Sequence, residues 1–567
     1  MPKLYKDDVS VVLCGEAGAG IQTVENVVSK IFKTAGFSLF TSKEYMSRIR
    51  GGSNSTQLRI SSSPKNCYCD RIDVCIPLDK DALKHLYNRI TDDTTIIADK
   101  EAIGETEKYF IDAPFSKYAK EIGGIIYSNI IASGVILGLF KADFSHLEKI
   151  IRDSFSRKGD NIVNANIQAG KKGYEIAEMI LKDVQIEVTW DDKASEKMLL
   201  SGTDAIGLGA LAGGCDFISS YPMTPGTGVF AFMAQNQKEF GVAVEQAEDE
   251  IAAINMSVGA GYAGARSMVS TSGGGFALMC EGVSLAAMTE IPVVIHIAQR
   301  PGPATGLPTR TEQADLDLAL YAGHGEFPRA IFTPGNPSDC FYMTRKAFDI
   351  ADKYQTPVFV LSDQYITDSL FSCPAFKAPE PQVKNIFKTS LDYARYRITG
   401  NGVSPRGVPS YGNGFVCADS DEHDETGRIT ESEKTRRLMH EKRLKKYDLI
   451  LNEAEEPELH GAGDYENLIV CWGSTVEMLK EALALLNYGR TAVLYFKQVF
   501  PLPRSTRDYL QRARKIIFVE NNANGQFETL VRSFTGFYSS GHIHKYDGLP
   551  FSADKVAQQI KSILEVR

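Results

Sequence analysis

A chain of 567 residues with a formal net charge of -9 and 43% hydrophobic side chains has room for three or four domains and the composition of a globular protein. The acidic balance, with no basic block, argues against nucleic acid as a partner, and no apolar run approaches the roughly 18–20 residues that a membrane span needs. The N-terminal stretch Met-Pro-Lys-Leu-Tyr-Lys-Asp-Asp is polar and lacks a signal-peptide core, so a cytoplasmic protein is expected.

Ser10 to Cys14 reads as an apolar strand, followed by Gly15-Glu16-Ala17-Gly18-Ala19-Gly20 and an amphipathic helix from Ile21 to Ala35. A glycine turn between strand and helix lets backbone amides approach a phosphate at the helix N-terminus. The glycines stand at relative positions one, four and six, which is not the usual dinucleotide spacing. The turn is therefore either a phosphate loop or simply a tight βα connection. The run Ser47 to Ser55 gathers Arg48, Arg50, Gly51, Gly52 and Ser53 in one loop, a plausible anion nest. A strand over Ser55–Ile60, a buried helix over Gly123–Phe140 and a last helix near Glu175–Leu181 complete an α/β domain at residues 1–185. Asp183 to Lys197 reads as a charged linker. Of the ten cysteines, only Cys67, Cys69 and Cys75 cluster. Their spacing matches neither zinc pairs nor a ferredoxin-type run. Reduced, mostly buried thiols are expected, and no metal-ligand set is assigned to this chain.

The second domain, residues 195–375, opens with a helix rich in Gly and Ala over Met198–Gly214 and a strand over Cys215–Ser219. Next comes Tyr221-Pro222-Met223-Thr224-Pro225-Gly226-Thr227. Two prolines end the strand, and Thr224 is pushed into an extended conformation by the proline after it. A strand over Val242–Glu245 leads to Glu248-Asp249-Glu250 at the start of a helix, Ile251–Gly264, where acidic residues suit the helix dipole. Arg266 to Ser270 is a strand followed by Thr271-Ser272-Gly273-Gly274-Gly275. Pro292 to Ala298 is another, followed by Gln299-Arg300-Pro301-Gly302-Pro303. Strands over Arg329–Phe332 and Pro357–Leu361 flank a helix over Pro337–Lys353. The alternation implies a doubly wound sheet. Ligands sit at the carboxyl ends of such strands, and three of these strands end in polar loops rich in glycine or proline.

Residues 376–465 read as a long connection wrapping over other domains. It holds the Gly/Pro-rich run Gly400–Gly414, an acidic patch around His423 and a charged helix over Ser432–Tyr447. A histidine among carboxylates can hold a metal, but a solvated loop is the stronger reading. The last α/β domain, residues 466–567, has strands over Leu468–Trp472, Ala492–Phe496 and Lys515–Val519. The polar run Glu520-Asn521-Asn522-Ala523-Asn524-Gly525-Gln526 follows the third.

Several of these stretches carry a family resemblance. Tyr221 to Pro225, Glu248 to Ala253, Thr271 to Gly275, Arg300 to Gln313 and Glu520 to Gln526, in this order, resemble the alpha subunit of 2-oxoacid:ferredoxin oxidoreductases, most nearly those acting on 2-oxoglutarate. Met223 stands where isoleucine is usual, which leaves the polar chemistry intact. Residues 1–185 resemble the gamma subunit of the same enzymes, fused ahead of alpha. The resemblance implies three α/β domains: a gamma-type domain associated with coenzyme A, a pyrimidine-binding domain for thiamine diphosphate, and a domain like the C-terminal one of transketolase, after an extended linker. It further implies a beta subunit carrying the diphosphate, Mg2+ and a [4Fe–4S] cluster, a ferredoxin, and a dimer of alpha-beta heterodimers. This chain agrees by what it lacks: a cysteine run for a cluster, and a convincing Gly-Asp-Gly…Asn diphosphate motif.

The resemblance assigns roles residue by residue. Glu250 would be the carboxyl group bonded to the aminopyrimidine ring, whereas Glu248 and Asp249 better fit ordinary helix-start acids. Pro222, Ser272 and Gly273 would line the thiamine site. Arg300 would pair with the 2-oxoacid carboxylate, as its planar fork suits, with Thr224 and Thr309 beside it. Gly15, Gly18, Gly20, Arg50, Gly51, Gly52 and Ser53 would contact coenzyme A. The implied reaction is oxidative decarboxylation of 2-oxoglutarate to succinyl-CoA and CO2 with reduction of ferredoxin, or the reverse carboxylation that fixes carbon. A branched-chain 2-oxoacid such as 2-oxoisovalerate is the alternative substrate. A non-redox thiamine enzyme and a non-catalytic nucleotide-binding subunit are the alternatives of another class.

Overall fold

Strand Asp8–Glu16 buries Val9, Val11 and Leu13 in one apolar cluster and Val12 and Cys14 in another. A strand covered on both faces belongs inside a sheet, and the computed structural model has it there. The structure describes residues 2–16, 20–47, 52–104, 106, 109–377, 380 and 384–565. The chain forms two compact units: Met1–Leu200 with Asp368–Ala375, and Ser201–Thr367 with Phe376–Arg567.

In the first unit an eight-stranded sheet runs Ile111–Asp112, Thr95–Ala98, Val74–Pro77, Asp8–Glu16, Ser53–Ser61, Ser38–Glu44, Leu370–Cys373, Met198–Ser201. Asp8–Glu16 is parallel to Val74–Pro77 and antiparallel to Ser53–Ser61. Helix Ile21–Thr34 follows the first strand, close to expectation. Helix Ser128–Leu139 is buried from Ile130 to Leu139, as an all-round apolar helix must be.

Three local readings are corrected here. The stretch 183–197 is not only a linker, because Val184–Glu187 pairs parallel with Lys3–Lys6 and turns Val184 and Ile186 inward. The helix expected over 175–181 is the end of a 21-residue helix, Asp160–Ile180. The helix expected from Met198 begins at Gly202, after the strand Met198–Ser201. Ser201 and Asp204 form a capping box, in which the Ser201 hydroxyl accepts from Asp204 N and the Asp204 carboxylate accepts from Ser201 N, each at 3.1 Å. Such reciprocal bonds fix a helix start.

The second unit is also α/β. Its seven-stranded sheet runs Ala243–Gln246, Phe217–Ser220, Ser267–Thr271, Val293–Gln299, Pro357–Asp363, Ala330–Phe332, Gln498–Phe500. All neighbours are parallel except the last pair. A five-stranded sheet runs Glu458–Gly461, Thr491–Phe496, Asn467–Trp472, Lys515–Glu520, Gly541–His544. One apolar cluster joins both sheets, from Ala253 and Phe359 to Trp472, Phe496 and Phe527. Among the described residues no helix is long and apolar enough to cross a membrane.

The connection before the last sheet is anchored rather than solvated. His423 is wholly buried, its ring 4.0 Å from that of Tyr396 and its Nδ1 3.0 Å from the Asp421 carbonyl. The solvated-loop reading of His423 is therefore overturned by its burial against the Tyr396 ring. The charged helix, Glu433–Asn452, has a buried side: Lys442 and Lys446, one turn apart, each reach a carboxylate oxygen of Glu290 at 2.5 Å. Burial alone would raise the Glu290 pKa, but Lys446, Lys442 and Arg395 together hold it well below the usual glutamate range. Burial pushes Lys446 down to about 8 against the pull of that carboxylate. One acid shared by two ammoniums is better satisfied than either of them.

Replacing Glu290 with Gln would strand two buried cations, so a loss of about 3–5 kcal/mol is expected, read as a lower urea midpoint. The sign with pH follows from the depressed pKa. The contribution of Glu290 is complete above its ordinary value of 4.5 and is lost as pH falls below it. A Glu290→Gln chain that unfolds at the wild-type urea concentration would show that the triad contributes nothing.

Candidate active site

Strands Phe217–Ser220, Ser267–Thr271 and Val293–Gln299 are parallel neighbours, so their carboxyl ends share one edge of the sheet. The loops that follow them are tied together. Ser220 Oγ donates to the Ser270 carbonyl at 2.5 Å, and Ser270 Oγ donates to the Gly226 carbonyl at 2.8 Å. Arg300 Nη1 donates to the Thr224 carbonyl at 2.5 Å. A Cβ at Gly274 would lie 3.6 Å from the Ala304 carbonyl and 4.0 Å from Met223 Sδ. The Thr224–Pro225 peptide is cis, which the extended-turn reading did not anticipate. Pro222 is exposed, Thr224 half-buried, and Arg300 and Thr309 buried.

Three acids open the nearby helix in the expected order but in different surroundings. Glu248 and Asp249 are exposed, and Asp249 caps the helix by accepting from Ala252 N at 2.7 Å. Glu250, the first helical residue, is buried at 3% exposure. Its Oε1 has no hydrogen-bond partner among the described residues. The atom lies 2.7 Å from where a Cβ on Gly275 would stand, so only glycine lets helix Gly273–Leu278 approach the carboxylate. Ser272 Oγ and Asp315 Oδ2 are likewise buried without partners. A Cβ on Gly273 would meet Asp315 Oδ1 at 2.2 Å. Leaving several polar atoms unpaired in one place costs about 1–3 kcal/mol each. Such a cluster fits a site that a ligand completes.

Two acids here were missed in the sequence. Burial raises Asp315 to about 6, with Arg300 pulling the other way. Burial, then Asp315 and Asp547, raise Glu312 to about 7. Both follow the threonine-rich run after Arg300, but nothing in residue type marks them as buried. Arg300 is itself lowered by burial, with Asp315 opposing. The loop that carries Thr309 and Glu312 is pinned at Gln313. Gln313 Nε2 donates to the Trp472 carbonyl at 2.8 Å, while its backbone and Oε1 exchange bonds with Asn521 at 2.7 and 2.9 Å. The Asn521–Gln526 run is thus a support for this loop.

In the first unit, Gly20 caps helix Ile21–Thr34 with φ 77. A cavity of about 230 Å³ opens there, lined by Gly20, Thr23, Lys43, Tyr45 and Asn54 among others. The antiparallel register sets Gly15 opposite Asn54 and Glu16 opposite Ser53, so the strand ends that border the two runs singled out in the sequence are paired. Gly52 is exposed with φ 85, and Ser53 is buried. Gly18, Arg50 and Gly51 lie outside the described residues. Lys43, 3.3 Å from Glu25, adds a cation that no residue pattern singles out.

Known proteins match this arrangement over its whole length. A family model for pyruvate ferredoxin/flavodoxin oxidoreductase matches residues 10–176, and one for the thiamine diphosphate-binding part of these enzymes matches residues 208–442. The 2-oxoacid:ferredoxin oxidoreductase subunit alpha of a Sulfolobus species is 30% identical over 98% of this chain and 97% of its own. The chain belongs to this family of alpha subunits. Another relative, the 2-oxoglutarate oxidoreductase subunit KorA of Mycobacterium tuberculosis, is 29% identical over 99% of this chain and 92% of its own. The solved 2-oxoglutarate:ferredoxin oxidoreductase of Magnetococcus marinus, described with 2-oxoglutarate, coenzyme A and succinyl-CoA bound, is 32% identical with a TM-score of 0.93, covering 99% of this chain and all of that one. The alpha-subunit fold expected from the sequence, α/β with a thiamine diphosphate-binding domain, is the one observed. Glu250 Oε1 and Ser272 Oγ, both buried without a partner among the described residues, are of the chemistry that a polar, hydrogen-bonding ring needs.

Proposed function

We propose that this alpha subunit serves a 2-oxoglutarate:ferredoxin oxidoreductase. The enzyme converts 2-oxoglutarate and coenzyme A to succinyl-CoA and CO2, passing two electrons to ferredoxin, and can run in reverse. The observation that carries the reading is the buried Glu250 carboxylate, whose Oε1 has no partner among the described residues, packed under the Gly273–Gly275 turn that also meets the loops of Met223 and Ala304. Full-length likeness to a 2-oxoglutarate enzyme supports the choice of substrate.

When bound, thiamine diphosphate would supply a nucleophilic carbon and an electron sink for the decarboxylation. The chain's own residues prepare that step. Glu250 holds a hydrogen bond at the aminopyrimidine through Oε1 and manages its proton. Ser272, Gly273 and Pro222 border the ring. Arg300 keeps one donor on the Thr224 carbonyl, which fixes the guanidinium, and offers the rest of its five donors to the substrate 1-carboxylate. Thr224 and Thr309 complete that pocket. Gly15, Gly20, Gly52, Ser53 and Lys43 cradle the phosphates of coenzyme A. A beta subunit brings Mg2+, the diphosphate contacts and a [4Fe–4S] cluster, and two alpha-beta pairs assemble in the cytoplasm.

The assembled complex, assayed with coenzyme A and a viologen dye against a panel of 2-oxoacids, should turn over 2-oxoglutarate fastest. Faster reduction with 2-oxoisovalerate, or turnover indifferent to coenzyme A, would rule this out. The chain expressed alone should be colourless and free of iron. A brown chain with stoichiometric iron would overturn the division of labour.

A further inference from the structure

The edge strand Gly541–His544 carries His542 and His544 on one face, because residues two apart on a strand share a side. Glu528, in the first turn of helix Gln526–Thr535, reaches the same spot. Its Oε2 lies 3.9 Å from His542 Nδ1 and 4.0 Å from His544 Nε2, and the three ligand atoms all lie within 4.8 Å of one another. Two ligands each about 2.1 Å from one ion stand at most roughly 4.2 Å apart. Both carboxylate–imidazole separations already meet that limit.

The buried His544 Nε2 has no hydrogen-bond partner among the described residues. With no protein group to donate to, that nitrogen is free to turn a lone pair toward Glu528. A buried imidazole nitrogen without a protein partner, facing a carboxylate and a second imidazole, is arranged as a metal ligand. Ser539 Oγ donates to Glu528 Oε1 at 2.5 Å, which turns Oε2 toward the imidazoles. Gly525, at φ 61, keeps the space open, for its Cβ would lie 3.0 Å from His544 Nε2 and 3.2 Å from Glu528 Oε2. The two imidazoles stack at 4.4 Å and 11°. Parallel rings do not aim at one point, so His542 must turn to bind. Its side chain, 59% exposed, has the room.

We propose that Glu528, His542 and His544 bind a borderline divalent transition-metal ion of the zinc type, leaving a further position to water. Two imidazoles and one carboxylate form a ligand set that zinc takes. The ion ties the edge strand to the helix that follows the Asn521–Gly525 run, and so braces the support of the Gln313 loop.

The test is zinc retention by the complex, stripped with chelator, equilibrated with zinc chloride as the only added metal, and desalted. Wild type should keep one more zinc per chain than His542→Ala or Glu528→Gln, with affinity falling by more than about 100-fold, beyond what losing an outer-shell partner costs. Zinc should raise the melting temperature of wild type and not that of His542→Ala, a substitution at an exposed side chain that leaves the core untouched. If wild type keeps no more zinc than either variant, the site does not exist.

Discussion

Replacing Glu250 with glutamine should lower turnover of the assembled enzyme by ~10²–10⁴-fold, the usual scale for losing a positioned acid–base group. That corresponds to about 3–5 kcal/mol of barrier. The amide has the carboxylate's shape but neither its charge nor its proton chemistry. Stability is the control. Glu250 is 3% exposed, its Oε1 without a partner among the described residues, and a charged group left partly unpaired costs more to bury than an amide. The variant should therefore melt at or above the wild-type temperature. Most cofactor contacts are proposed to lie on the partner, so thiamine content should be largely kept. Near-normal turnover would mean that the wrong carboxylate was chosen. Low turnover with a lowered melting point would point to a structural role instead.

What could be read from the sequence follows how local each signal is. The strands of the second unit were legible because parallel strands buried on both faces give unbroken apolar runs, as in Val293–Gln299. Their ends marked the candidate site because Pro222, Gly273 and Arg300 interrupt such runs at the same edge. The separation of Glu250 from Glu248 and Asp249 came from the resemblance, and burial now gives it a physical basis. Non-local features stayed hidden. Val184–Glu187 looked like linker because only its pairing with Lys3–Lys6 makes it a strand. Asp315 and Glu312 carry no mark of burial, which is imposed by packing against Gly273 and by the pinned Gln313 loop. His423 looked solvated among carboxylates because its partner, Tyr396, is 27 residues earlier in the chain.

Arg300→Met should weaken kcat/KM by roughly 30- to 5000-fold, since removing one partner of a buried charge pair costs about 2–5 kcal/mol. The substrate is an anion whose 1-carboxylate must leave water to place the 2-oxo carbon for attack, and a fixed guanidinium offsets that cost. Arg300 is suited to this because it is already desolvated and braced. It is 9% exposed, with one donor held by the Thr224 carbonyl. Methionine keeps the apolar stem but leaves that carbonyl without its donor, so a modest loss of stability, about 1–3 kcal/mol, should accompany the kinetic defect. Thiamine content and the affinity for coenzyme A should be little changed. A 2-oxoglutarate enzyme also needs a cation for the distal carboxylate, and this separates two roles. If Arg300 binds the carboxylate common to all 2-oxoacids, 2-oxoglutarate and 2-oxobutyrate should lose similar factors. If 2-oxoglutarate alone suffers, Arg300 reads the distal group and the substrate lies the other way round. Wild-type kcat/KM for both would leave Arg300 only as a brace for the Thr224 loop.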